Sequence, residues 1–599
     1  MAIALFNRIR PRAQVPVVET EKPAQDAEVS ATGAAARGSL DEKDPSRFAH
    51  SDDDPTEDGE TQDGVKGVEA ITSVWTKRTL FFVYLMIWVI YFVDTMQQNM
   101  SNSLIPYVTS SFGQHSLLGA TQIVSSIVGG LIKLPLAKVL DIWGRPQGYF
   151  AMVVCLTIGL AMMAGCNNVK TYAAAQVFYW VGYNGLTYTL GIFIADTSKL
   201  RNRAFMFAYA SSPYLATTWI GGPLAAAFLK GPGWRWGFGA FTIITPVVTL
   251  PLSYIFWVNY RKAEKLNMVP KQPSGRTVWQ SITHYAVEFD AFGLFLIIAG
   301  LALFLLPFSL YSYQANGWRS AMIIAMIVIG GLLCIAFVIW ERFYAPKTFI
   351  PYKLLADRTV LGACILSASL FVSFYCWNAY FFSFLLVVNG LTITEASYVS
   401  NTYSMGSCFW ALIVGVLIRY TGRFKWLAVW FGVPVTILGV GLMIHFRQPD
   451  TNIGYVVMCQ IFIAVAGGTL VICEQMAAMA ATTHQYVAVV LALEGMFASV
   501  GGAIGSVVAI AVWTSVFPQK LAELLPAGTD VAAVYGDITI QLSYPPGSPE
   551  RIAINAAYGA AQKCQCIAAT AVLVVALGSV LVWRDIKVSD YKQAKGVVI

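Results

Sequence analysis

The chain has 599 residues, of which 56% are hydrophobic and only 12% charged, with a mean hydropathy of +0.59. A soluble protein carries about a quarter charged residues, so an array of soluble domains is excluded. The formal charge of +7 is spread over short loops with no basic stripe interleaved with aromatics, which excludes a nucleic-acid interface.

Residues 1–71 contain no apolar core segment and pass through the acidic stretch SDDDPTEDGE, so they read as a disordered cytoplasmic tail and not as a secretory signal. From residue 72 onward about fourteen apolar segments of roughly 20 residues follow, each long enough to cross about 30 Å of hydrocarbon as a helix. The fold class is therefore an all-α polytopic membrane protein, because a helix satisfies its own backbone polar groups in lipid. Spans at 80–99, 117–140, 149–165, 172–195, 204–229 and 238–258 make a six-helix bundle within residues 72–259. A polar cytoplasmic loop at 260–289 leads to two additional central helices, at 292–311 and 321–340, within residues 290–341. A second six-helix bundle fills 342–585, with spans at 360–388, 396–418, 426–445, 455–478, 487–516 and 567–583. Its last two spans are separated by a long outer loop, 517–563, and residues 586–599 form a cytoplasmic C-terminus.

Lys and Arg crowd alternate loops, among them Arg145, Lys199, Arg201, Arg203, Arg261, Arg342, Arg419 and Arg423, which places both termini in the cytoplasm. The ten cysteines lie almost wholly inside apolar segments, and Cys564 and Cys566 lack the spacing of a zinc or redox pair. There is no phosphate-cradling G-x-x-x-x-G-K-[ST] loop and no His-based metal motif, so neither an ATP-driven pump nor an enzyme is expected, and no metal or cofactor site.

Charged residues inside spans cost about 2.5–3.5 kcal/mol on insertion scales and usually carry function. Asp94 lies mid-span, followed at helical spacing by Gln97, Gln98 and Ser101, which form a polar face. It is the first candidate for proton coupling or substrate contact, against a structural hydrogen bond. Glu474 and Glu494 are further proton-coupling candidates, with a helix-end ion pair as the alternative. Lys133 reads as mostly structural, its ammonium snorkelling toward the interface.

Two loops repeat one another. Residues 137–146 read AKVLDIWGRP and residues 415–424 read GVLIRYTGRF, so Asp141, Gly144 and Arg145 match Arg419, Gly422 and Arg423 in spacing. Both follow the second span of a bundle, as two parallel repeats require.

Asp141, Gly144 and Arg145 resemble the loop signature of the major facilitator superfamily, with Ala137 in place of its usual leading glycine. FVDTMQQNMSNSLIPYVTSSF at 92–112, IADTSKLRNRAF at 194–205, GPGWRWGFGAF at 231–241 and WERFYAPKTFIPYKLL at 340–355 resemble the fungal siderophore iron transporters of that superfamily, over residues 72–585. The resemblance implies a major facilitator fold of fourteen helices and proton-driven uptake of ferric hydroxamate siderophores, with a pattern most like the triacetylfusarinine C transporters. It also implies a monomer in the plasma membrane whose partners are ferric siderophore, protons and lipid. Iron would enter only inside its chelator, so the protein needs no metal ligands of its own.

A bulky chelate needs a wide polar and aromatic chamber. The candidates are Gln98 in the first span, Tyr179, Tyr183 and Thr187 in the fourth, Tyr214 and Thr218 in the fifth, and Phe374, Tyr375, Trp377 and Asn378 in the ninth. Aromatic stripes are also ordinary packing. The resemblance further points to a tyrosine in the outer loop, and Tyr558 is expected there as a capture residue. Two rival readings are a fourteen-span proton-coupled drug exporter, and a membrane receptor that binds siderophore without turnover. The exporter pattern of an arginine before a glutamine-glycine pair in the fourth span is replaced here by FYWVGYN, starting at Phe178.

Overall fold

The computed structural model describes residues 75–110, 127–142, 144–265, 277–311, 314, 316–346, 352–483, 486–536 and 538–588. The predicted tail at 1–71 and the end of the C-terminus lie outside them. Among the described residues there are helices and one isolated bridge, Arg423 to Lys587, and no strands.

The first half comprises α1 (Lys77–Ser110), α2 (Lys133–Ile142), α3 (Arg145–Gly165), α4 (Val169–Thr197), α5 (Leu200–Ser211), α6 (Tyr214–Lys230) and α7 (Trp234–Lys265). An inserted group follows: α8 (Val278–Glu288), α9 (Ala291–Leu305) and α10 (Ala321–Ile339). The second half comprises α11 (Arg358–Asn378), α12 (Phe381–Val387), α13 (Ile393–Thr421), α14 (Val433–Phe446), α15 (Ile453–Ala480), α16 (Val487–Leu524) and α17 (Pro549–Leu581).

Ten of these helical stretches are long and apolar enough to cross a membrane, and up to eleven if the bent pair α8–α9 counts as one. The remaining predicted spans fall on three places. The outer part of the second span lies outside the described residues. Helix α4 is 29 residues long but carries Gln, Tyr, Asn and Thr along its length. The fifth span is divided into α5 and α6 at Pro213, which has no N–H to continue the helical ladder.

One buried cluster lies within the first half, and a larger one joins the second half to α2, the ends of α4 and α5, and the inserted helices. Leu156, Tyr179, Phe193, Phe238 and Phe256 anchor the first, and Leu366, Cys459, Met476, Leu493 and Leu573 the second. The inserted group is tied down at both ends. Tyr311 shares a hydrogen bond with Thr514 of α16, and Lys138 Nζ donates to the Glu288 carbonyl at 3.1 Å.

The predicted outer loop at 517–563 is largely helical, which corrects that boundary. Helix α16 runs on to Leu524, short helices occupy Val531–Gly536 and Ile538–Ser543, and α17 begins at Pro549. The early start of α17 has a local cause: Ser548 Oγ accepts from the Arg551 N–H at 3.2 Å, and proline at the first helical position has no N–H to leave unsatisfied. The connecting segment is docked, because the buried Arg551 guanidinium donates to the Val387, Gln541 and Tyr544 carbonyls.

Candidate functional site

The repeated loops sit at one end of the bundle, called here the charged pole. In the first half Gly144 makes the turn with φ of +102°, a conformation that glycine adopts without penalty. Arg145 Nε then donates to Asp196 Oδ2 at 3.2 Å, and both side chains are buried. Arg203 adds donations to the Ala195 and Ser198 carbonyls. In the second half Gly422 ends α13 with φ of +69°, and Arg423 pairs with Asp585 at 3.0 Å with both side chains about half exposed. The backbone of Val588 closes on Gly422 at 2.9 Å. Arg419 contributes its carbonyl, which accepts from Arg201 Nε at 2.9 Å and so joins the two halves. Asp141 lies on α2, and its side chain is outside what the structure describes.

Deeper in the first half, α1 presents Asp94, Thr95, Gln97 and Gln98 toward α4 and α6. Tyr179 donates to Gln97 Oε1 at 2.9 Å, while Gln97 Nε2 donates to Ser101 at 2.6 Å. Gln98 Oε1 accepts from two phenols, Tyr183 at 3.0 Å and Tyr214 at 2.8 Å, which themselves lie 3.1 Å apart. Tyr179 and Tyr183, one turn apart, stack with centroids 5.9 Å apart. Asp94 is 5% exposed, lies within electrostatic reach of Tyr91, Tyr149, Tyr179, Tyr183 and Tyr214, and has no ion pair or hydrogen bond among the described residues. Thr187 and Thr218 turn their hydroxyls back to the Tyr183 and Tyr214 carbonyls of their own helices.

In the second half Phe374 packs against Trp377 and Tyr403 at centroid distances of 5.2 Å. Tyr375 lies against Gly502 of α16, and Asn378 is half-buried at the end of α11. Cys408 on α13 lies within electrostatic reach of both Tyr214 and Tyr403.

Burial sorts the predicted binding residues. Gln98, Thr187, Tyr214, Phe374, Tyr375 and Asn378 are half-buried, and Tyr183 is 9% exposed. Tyr179, Thr218 and Trp377 are buried behind them, Trp377 with its carbonyl held by the buried Arg447. Tyr558 corrects the sequence reading. It is a residue of α17, is 2% exposed, donates to Gln541 Oε1 at 2.9 Å, and packs edge-on against Trp513 and Phe517. It pins the outer segment to the bundle and presents no surface for capture.

Glu474 on α15 and Glu494 on α16 are buried in the second half near the charged pole. Ser367 Oγ of α11 lies 3.3 Å from one oxygen of each. No spacing in the sequence marks this shared contact, since the three residues lie on three different helices. Lys133 reaches toward the pair from α2. Its Nζ lies 2.9 Å from where a Cβ on Gly495 would stand.

The Major Facilitator Superfamily profile matches residues 87–345. The chain is 66% identical over 542 residues to MFS siderochrome iron transporter 1 of Ajellomyces capsulatus, covering 90% of this chain and 92% of that protein. It is 46% identical over 539 residues to siderochrome iron transporter 2 of Aspergillus fumigatus, covering 90% and 89%. With siderophore iron transporter mirB of Emericella nidulans it shares 42% identity over 576 residues, covering 96% and 95%. Among solved structures, a proton:xylose symporter aligns with a TM-score of 0.51 at 12% identity, covering 87% of this chain and 99% of that one, a likeness of fold alone. A two-half helical bundle with repeated charged-pole loops, matched nearly end to end by these relatives, makes this chain a member of the siderochrome iron transporters of the major facilitator superfamily.

Proposed function

We propose that this protein carries ferric hydroxamate siderophores into the cell by proton symport, with triacetylfusarinine C as the first candidate. The names of the relatives support siderophore iron as the cargo. The observation that carries the coupling is Asp94: a buried acid within electrostatic reach of several tyrosines, with no counter-charge among the described residues. A lone charge there is costly, and a proton removes it. The same helix bears Gln98, whose carbonyl is taken by two phenols and whose amide N–H groups have no protein acceptor among the described residues. Tyrosine faces and amide donors suit a ligand with hydrocarbon arms and exposed carbonyl oxygens. Phe374, Tyr375 and Asn378, half-buried in the second half, are its further candidate contacts. Iron stays fully ligated by its chelator.

Excess Lys and Arg in the loops at the charged pole supports a cytoplasmic position for it, with both termini inside; the plasma membrane is the membrane that uptake into the cell requires. The test is uptake of a panel of radio-iron siderophores by cells that lack their own carriers. Inward accumulation of at least one hydroxamate chelate supports the reading. Drug efflux without iron uptake would replace it with the exporter reading, and binding without uptake with the receptor reading.

A further inference from the structure

The contact between α2 and α16 carries information that neither loop motif holds. The two halves touch in several places between the charged pole and the middle of α16. Tyr188 of α4 donates to the Ala488 carbonyl, Arg203 of α5 approaches Met479, and a Cβ on Gly130 would stand 2.1 Å from Ser499 Cβ. Between these points lies Lys133, a residue of the first half. Its side chain runs over Gly495, directly after Glu494 in the second half. Lys133 and Glu494 attract one another electrostatically, yet among the described residues their charged atoms do not close to an ion pair.

We infer that Lys133 is the positioning residue that ties the proton to the opening of the charged pole. This rests on the proton-symport reading above. When the pole is closed, the Lys133 ammonium favours the ionised form of the Glu474/Glu494 pair. When the pair takes a proton, that attraction falls and α2 can leave α16. Linkage makes the relation reciprocal: a charge that opposes proton binding in the closed arrangement lets proton binding oppose closure. After the proton leaves, the restored carboxylate draws Lys133 back.

The other groups facing the pair fit this assignment. Cys473 beside Glu474, Cys364 of α11 and Tyr403 of α13 lie within electrostatic reach, and none is a cation. Arg203 enters the second half further along α15, at Met479, and is held by the Ala195 and Ser198 carbonyls. A Cβ at Gly495 would stand 2.9 Å from Lys133 Nζ, so even alanine there would shift the ammonium from its present place.

The experiment compares the wild-type protein with Lys133→Gln, Lys133→Arg and Gly495→Ala in vesicles. Accumulation and counterflow of one ferric hydroxamate are measured from mildly acidic to mildly alkaline pH. Lys133→Gln should lose accumulation by about tenfold, within the range of coupling between linked sites, while counterflow persists and loses its pH dependence. Lys133→Arg should restore the dependence in part. Gly495→Ala keeps the charge but displaces it, and should shift the profile in the same direction as Lys133→Gln, which keeps the idea testable if the glutamine variant does not reach the membrane. A wild-type pH profile and accumulation in whichever of Lys133→Gln and Gly495→Ala is made would overturn the assignment. Wild-type transport indifferent to pH would instead remove the proton reading on which it rests.

Discussion

Glu474 and Glu494, on adjacent helices, face a single hydroxyl, with Ser367 Oγ 3.3 Å from each. A hydroxyl has one proton to donate, so it can satisfy only one carboxylate at a time. The second Glu474 oxygen is buried with no hydrogen-bond partner among the described residues. Two negative charges so placed repel one another, and a proton shared between them relieves that repulsion. Glu474→Gln and Glu494→Gln should each abolish accumulation against a gradient while counterflow continues. Ser367→Ala should weaken uptake by less than about tenfold, since the hydroxyl contributes on the order of 1 kcal/mol. Accumulation and counterflow measured side by side in vesicles check both expectations.

A second prediction concerns Asp94. Asp94→Asn keeps the shape and hydrogen-bonding capacity of the side chain while removing its ionisation. Concentrative uptake should be lost with protein at the membrane nearly normal. If accumulation stays near wild type, Asp94 is a structural residue and the proton is carried elsewhere.

The two repeated loops should respond differently to the same kind of change. Arg145 and Asp196 are both buried, so Asp196→Ala leaves a guanidinium without its carboxylate, at a cost of about 3–5 kcal/mol. Arg423 and Asp585 are half exposed, and Asp585→Ala should cost less than about 1 kcal/mol. Thermal stability of the purified variants in detergent distinguishes them. Equal losses would show that exposure does not govern these pairs.

Tyr558 yields a prediction opposite to the one its sequence position suggests. Tyr558→Phe removes one hydrogen bond to Gln541, worth about 1 kcal/mol. Tyr558→Ala opens a cavity between Trp513 and Phe517 and should cost about 3–5 kcal/mol. Less protein should reach the membrane, with an unchanged apparent KM in the fraction that does. A raised KM with normal expression would return Tyr558 to substrate capture.

Much of the fold is legible in the sequence because apolar length is a one-dimensional property. The duplication around Gly144 and Gly422 is legible too, since both glycines serve a turn with positive φ. The polar face of α1 at Asp94, Gln97 and Gln98 follows from helical spacing, and the phenols that meet it come from predicted candidates. The outer segment reads as loop because its polar and Pro-Gly-rich stretch outweighs the helix start signal carried by Ser548 and Pro549. What spacing does not contain is contact between helices far apart in the chain. Lys133 appears as a snorkelling cation until α16 is placed beside it, and Ser367 has no distinguishing neighbours until Glu474 and Glu494 converge on it.

Proton-coupled inward transport is tested most directly by radio-iron hydroxamate uptake in carrier-deficient cells expressing the full chain, with the proton gradient and ATP manipulated separately. Accumulation should collapse on adding a protonophore and should survive acute ATP depletion while the gradient is held. Accumulation that continues after the gradient is abolished would contradict the account.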